Sequence, residues 1–152
     1  MLKPRSRQEP VSEPASQVSL AGQALAGLVE AGVIMAASDG HIAHEEMAVV
    51  AGIIDGFCQG HASEDEIKAL MVDAGKVIDR DGIDVRLQKM TENLFSPELR
   101  RLGMLVAASV MICDGEFAAG REDHAYLAMA KQLGFSTDEA RAILDEAGAL
   151  FD

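Results

Sequence analysis

Aromatic residues are scarce in this chain of 152 residues, which has no tryptophan, one tyrosine and five phenylalanines. Alanine, leucine, methionine and glutamate are common instead, and this composition favours helices. Only two cysteines are present, Cys58 and Cys113, and each lies inside an apolar helical stretch. We therefore expect both thiols to be buried, in preference to a disulfide or a catalytic thiolate. Two free thiols are compatible with a reducing cytoplasm.

Positive charge is also in short supply. Lysine and arginine number 13 against 25 aspartates and glutamates, which gives a formal net charge of −12. Because phosphate binding needs a clustered basic face, this balance argues against nucleic acid and favours cations or basic proteins as partners.

No long apolar segment is present. The amino terminus has no continuous apolar core of the secretory type, and the longest apolar run, from Leu102 to Cys113, is shorter than the ~20 residues that span a bilayer as a helix. The sequence thus predicts a cytoplasmic protein that is not itself transmembrane.

Motifs of common enzymes are missing as well. We find no glycine-rich phosphate loop, no Cys-x-x-Cys pair, no His-Glu-x-x-His motif and no nucleophile with a recognisable base. The prediction is a protein without enzymatic activity.

One short pattern occurs twice. The stretch that runs from Ala36 to Glu46 has a counterpart from Ile112 to Glu122, and each contains Asp-Gly, then a large apolar residue, then a carboxylate seven or eight positions after the aspartate. Glycine can take the positive φ that ends a helix, so each copy predicts helix, tight loop and helix. Ile42 and Phe117 are expected to anchor the two loops.

The two loops hold the strongest candidate site. Asp39 and Glu46 in the first copy, and Asp114 and Glu122 in the second, offer the hard oxygen ligands that suit Ca²⁺, Mg²⁺ or Mn²⁺. Glu45, Glu116 and Asp123 add to the two acidic clusters. In the alternative interpretation the aspartates cap the following helices, and the glutamates only favour helix amino termini.

Histidines offer a second ligand set in the first loop only. Asp39, His41, His44 and Glu45 fall within seven positions and could bind a transition metal. Since the second loop has no matching histidine, solvent-exposed histidines are the favoured interpretation.

These motifs resemble the TerB-like tellurite resistance family. Ser38-Asp39-Gly40 with Glu46 matches the family pattern without a gap, and Asp114-Gly115 with Leu133-Gly134-Phe135 matches its second copy with one extra residue before Glu122. The resemblance implies a cytoplasmic, all-helical, non-enzymatic protein of tellurite and stress resistance, with membrane-associated and calcium-binding protein partners. It assigns the acidic surface to Asp39, Glu46, Asp114 and Glu122.

Periodicity predicts an all-α fold of about seven helices in a compact bundle with two related halves. Residues 1–16, rich in proline, serine and charge, are expected to form a flexible tail before a single helical domain over 17–152. Capping boxes are predicted at Ser63 and Ser136, a helix start at Ser96-Pro97, and a turn at Asp81-Gly82.

Two helices are predicted to form the centre of the bundle. The helix from Glu98 to Cys113 is apolar almost all round and should pair with the first helix, over 18–38, as its equivalent in the repeat. Glu30 interrupts the apolar pattern of that first helix. It lies either on a narrow exposed face or toward an acidic loop, and the exposed face is favoured.

Two functions from different classes remain open at this point. One is a stress protein that binds a divalent cation through the paired loops. The other is a helical interaction module in which the acidic loops are structural caps.

Overall fold

The computed structural model describes residues 12–37, 44–58, 62–114 and 121–150. Within these ranges the chain forms seven helices and no strand, which confirms the predicted all-α class. The helices are α1 (Ser12–Ala36), α2 (His44–Cys58), α3 (Glu64–Asp81), α4 (Ile83–Asn93), α5 (Pro97–Asp114), α6 (Arg121–Leu133) and α7 (Thr137–Leu150). None of the helices within the described ranges is long and apolar enough to cross a membrane.

Both predicted capping boxes are present. At the start of α3 the Glu66 amide donates to Ser63 Oγ at 3.1 Å, and the Ser63 amide donates back to Glu66 Oε1 at 3.3 Å. Ser136 and Glu139 repeat this exchange at the start of α7, with distances of 3.1 and 2.8 Å. Each box satisfies two backbone donors that a helix start would otherwise leave unpaired.

The remaining local signals also have the expected structures. Ser96 Oγ accepts the Leu99 amide at 3.1 Å, so α5 begins at Pro97 with a serine cap. Gly82, with φ 90°, separates α3 from α4, and Gly134, with φ 91°, ends α6. A side chain is strained at such φ values, which explains why glycine ends these helices.

Helix α5 is the centre of the bundle, as predicted. Every residue from 103 to 111 is buried, and the most extensive helix packing in the fold joins α5 to α1. Helix α1 is itself buried from residue 27 to 36. The pairing expected of the two equivalent helices is therefore confirmed.

Helix α1 packs against α5 and against the residues just before it. Gly27 lies against Leu94, which also contacts Gly103 of α5. Ala31 lies against Gly103, and Gly32 lies against Val106.

Helix α1 begins earlier than the sequence indicated. It starts at Ser12 and not near Val18, so its first residues belong to the segment predicted as a tail. Pro14 lies in the first turn, where backbone amides have no partner within a helix, so this proline does not oppose helix formation.

Candidate functional site

The predicted cation ligands fall on, or in the sequence between, two pairs of consecutive helices, α1 with α2 and α5 with α6. Asp39 lies outside the described residues, and the side chains of Glu46, Asp114 and Glu122 are outside them as well. The backbone places Glu46 and Glu122 in the first turns of α2 and α6, as predicted, and Asp114 at the last position of α5. The positions of these three residues in their helices are thus known, whereas the role of the four carboxylates as cation ligands stays a prediction.

Most of the other residues that were predicted to contribute to the two acidic clusters are also outside the described part of the structure. The following predicted contributors lie outside the described residues or side chains: Gly40, His41, Ile42, His44, Glu45, Gly115, Glu116, Phe117 and Asp123. Among the side chains that the structure does describe, no group of three or more His, Cys, Asp or Glu could hold a metal ion.

The described core contains a buried ion pair that the sequence did not predict. Arg86 of α4 donates from Nε to Glu30 Oε2 at 2.5 Å and from Nη2 to Glu30 Oε1 at 3.1 Å. Only 3% of Glu30 is exposed. The favoured expectation of a solvated Glu30 is therefore wrong, because a guanidinium fork of matching geometry neutralises the carboxylate inside the bundle.

The pair extends into a short network at the turn between α3 and α4. Arg86 Nη1 also donates to Asp81 Oδ2 at 3.5 Å, and Arg80 binds the same carboxylate through two bonds of 2.8 and 2.9 Å. The hydrogen bond from Arg80, followed by the charges of Arg80 and Arg86, lowers the pKa of Asp81, while the bond to Glu30 raises the pKa of Arg86. With its guanidinium engaged by two carboxylates, Arg86 fastens α1 to the α3–α4 turn.

The two cysteines differ from each other and from the prediction. Cys58 is half-buried, and burial, with a smaller contribution from Asp55, raises the pKa of its thiol. A raised pKa disfavours the reactive thiolate. Cys113 is exposed, so the prediction of a buried thiol is wrong at this position, where α5 is about to leave the core.

One buried tyrosine fastens the last two helices to each other. Tyr126 is fully buried, and its hydroxyl donates to the carbonyl oxygen of Ala140 at 2.6 Å. The position of Tyr126 on the apolar face of α6 could have identified this tyrosine as buried from the sequence.

The ion pair also had a signal in the sequence, since Glu30 is an acidic residue within an otherwise apolar helix. Nothing in the neighbouring residues indicated its partner, Arg86, which lies 56 positions away.

Comparisons with known proteins give no relative. No family model matches the chain, and neither a curated protein nor a solved structure matches it.

Proposed function

We propose that this chain is a non-enzymatic, cytoplasmic stress-response protein of the TerB-like tellurite resistance type, which binds a divalent cation through its two acidic loops. Asp39 and Glu46 supply oxygen ligands from the first loop, and Asp114 and Glu122 supply them from the second. Ca²⁺, Mg²⁺ and Mn²⁺ are the candidate ions because all three prefer hard oxygen ligands.

The observation that supports this proposal is the direct packing of α1 against α5. Each of these helices is followed in the sequence by an acidic segment and then by a helix with a glutamate in its first turn. We infer that the two acidic segments repel each other and that a divalent cation offsets this repulsion.

The alternative function is a helical interaction module whose acidic loops are structural. Glu66 and Glu139 favour it, because each sits in the first turn of a helix and closes a capping box with its serine. First-turn glutamates in this chain thus serve as caps at two described helix starts. In either function the protein partners are proposed to be membrane-associated stress proteins, and no nucleic acid is expected.

Thermal melting with EDTA, Mg²⁺, Ca²⁺ or Mn²⁺ distinguishes the two functions. A cation that binds only the folded state raises the melting temperature. We expect such a rise for the wild type and its loss in the double variant Asp39→Asn with Glu46→Gln. The second loop has one extra residue, so Asp114→Asn with Glu122→Gln should reduce the rise by less.

A matched control removes two carboxylates elsewhere. Asp73→Asn with Glu92→Gln changes exposed side chains on α3 and α4 and should keep the full response to cations. If Asp39 is only a cap, its loss lowers the free energy of unfolding by ~1 kcal/mol with or without cation. A wild type whose melting temperature ignores all three ions contradicts cation binding and leaves the interaction module.

A further inference from the structure

A single residue, Gly82, connects α3 to α4. Its amide donates to the carbonyl oxygen of Ile78 at 2.8 Å and closes α3, while its carbonyl oxygen accepts the Arg86 amide at 3.2 Å and opens α4. Its φ of 90° and ψ of 157° fall in a region of backbone space that is essentially restricted to glycine. No proline lies between residues 64 and 93, so a helical Gly82 would join α3 and α4 into one helix of ~45 Å.

Gly82 also divides the chain into two halves that depend on each other. Helices α1 to α3 precede it, and α4 to α7 follow it. The main contacts of α1 cross this division, because α1 packs on α5, Glu30 binds Arg86 of α4, and Gly27 lies against Leu94. Neither half can bury these surfaces alone. The same contacts can form, however, whether the two halves belong to one chain or to two.

A joined helix would present its two apolar faces on opposite sides. The buried residues are Ile67, Met71, Ala74 and Ile78 on α3, and Leu87 and Met90 on α4. Ile78 and Leu87 are nine positions apart, which corresponds to ~2.5 helical turns. The joined helix would therefore carry the first half of the chain on one side and the second half on the other. Each half would then be free to pack with the complementary half of another copy.

We propose that Gly82 is a hinge at which two copies of this chain exchange halves. In the exchanged dimer α3 and α4 of each chain form one helix, and each unit combines α1 to α3 of one copy with α4 to α7 of the other. Very short connections favour such exchange, because one residue must make the whole change of direction in the closed monomer. Glycine keeps the monomer accessible, since it has no Cβ to strain. The proposal does not rest on cation binding.

The first test is the variant Gly82→Ala. Alanine is strained in the closed hinge and favourable in a joined helix, and each dimer contains two hinges. After refolding from urea, we expect gel filtration with light scattering to show a dimer-to-monomer ratio at least ~100-fold above that of the wild type. Gly75→Ala, in the interior of α3 with open space around it, is the matched control and should keep the wild-type ratio. Insertion of Gly-Ser-Gly-Ser after Gly82 should abolish the dimer.

The second test asks which chains supply the two halves. Glu30→Arg and Arg86→Glu each place two like charges at the buried ion pair, so each variant alone should be strongly destabilised. When the two are refolded together, exchange places opposite charges opposite each other in both units of a mixed dimer. We expect that dimer to contain both chains by native mass spectrometry and to melt above either variant alone. A single chain with both changes shows whether the reversed pair is tolerated.

Three results would overturn the proposal. The first is a Gly82→Ala protein whose dimer-to-monomer ratio equals that of Gly75→Ala. The second is a dimer that persists unchanged with the inserted residues, since its two copies would then associate without exchange. The third is a mixture that melts like its separate components although the single chain with both changes is folded. If that single chain does not fold, the result for Gly82→Ala decides.

Discussion

Glu30 brings a negative charge into the core on a helix whose neighbouring residues are apolar. Counted from the aspartate of each loop, its equivalent in the second half is Leu105, since both lie nine positions before that aspartate. Both positions are buried. One half therefore fills this place with leucine, while the other uses a carboxylate with an arginine from α4.

The ion pair should respond very differently to single and double changes. Arg86→Met leaves the Glu30 carboxylate buried without its partner, so we expect a loss of ~3–5 kcal/mol in the free energy of unfolding. Adding Glu30→Leu, the residue of the other half, should recover most of that loss. Urea unfolding gives the free energy of unfolding of the wild type, of Arg86→Met and of the double variant. A double variant no more stable than Arg86→Met would contradict this explanation of the ion pair.

Ser109 is a second polar residue in the core. Its Oγ is buried and has no hydrogen-bond partner in the described part of the chain. Ser109→Ala removes this unsatisfied group and should raise the free energy of unfolding by ~1 kcal/mol. The matched control, Ala108→Ser at the adjacent buried position, should lower it. Urea unfolding checks both, and a marked loss of stability in Ser109→Ala would show that the hydroxyl is needed.

Among the elements, helix boundaries with a local chemical signal could be predicted. The serine caps at 63, 96 and 136 and the glycine at 82 each act through backbone groups a few residues away, so the sequence contains the whole interaction. The start of α1 lacked such a signal, because a segment rich in proline and serine resembles a tail even where Pro14 fits a first turn.

Interactions across the bundle were beyond local reasoning. The pairing of α1 with α5 was predictable because both are apolar nearly all round, and only such helices suit a centre. The partner of Glu30 was not, since many arginines were available and only the fold selects Arg86. The same limit applies to the cation ligands, whose assignment still depends on sequence pattern alone.

The central position of α5 gives a prediction for the element itself. Val106 is fully buried, so Val106→Asp introduces an unpaired charge and should leave the protein unfolded or aggregated. Val72→Asp makes the same change at a position that is 46% exposed on α3 and should stay folded. Circular dichroism and gel filtration compare the two, and a Val106→Asp protein that melts like the wild type would remove α5 from the centre.

For the whole molecule, acid should weaken the folded state through two carboxylates in ion pairs, half-buried Asp81 and exposed Glu146. Bonds from Arg80 and from Arg101 lower the pKa of Asp81 and of Glu146 respectively. A carboxylate with a lowered folded-state pKa stabilises the protein above its unfolded-state pKa, and this contribution disappears as the pH falls through ~4 and below.

The Glu146 contribution can be isolated with one variant. Protonation of other carboxylates relieves repulsion in a chain of net charge −12, so the absolute pH profile combines opposing effects. The difference in urea midpoint between the wild type and Glu146→Gln should be steady from pH 7 to ~5 and shrink at lower pH. A difference that is constant down to ~pH 3 would contradict the assigned role of Arg101.

Cation binding by the two acidic segments that follow α1 and α5 in the sequence is the central claim. Paramagnetic Mn²⁺, added in small amounts to the ¹⁵N-labelled protein, broadens the signals of nearby amides. We predict loss of signals from residues 37–46 and 113–122 together, while Leu94, which lies against Gly27 ~13 Å before the end of α1, is affected less. No selective broadening, or broadening centred on the acidic start of α3 at 64–66, would contradict the account.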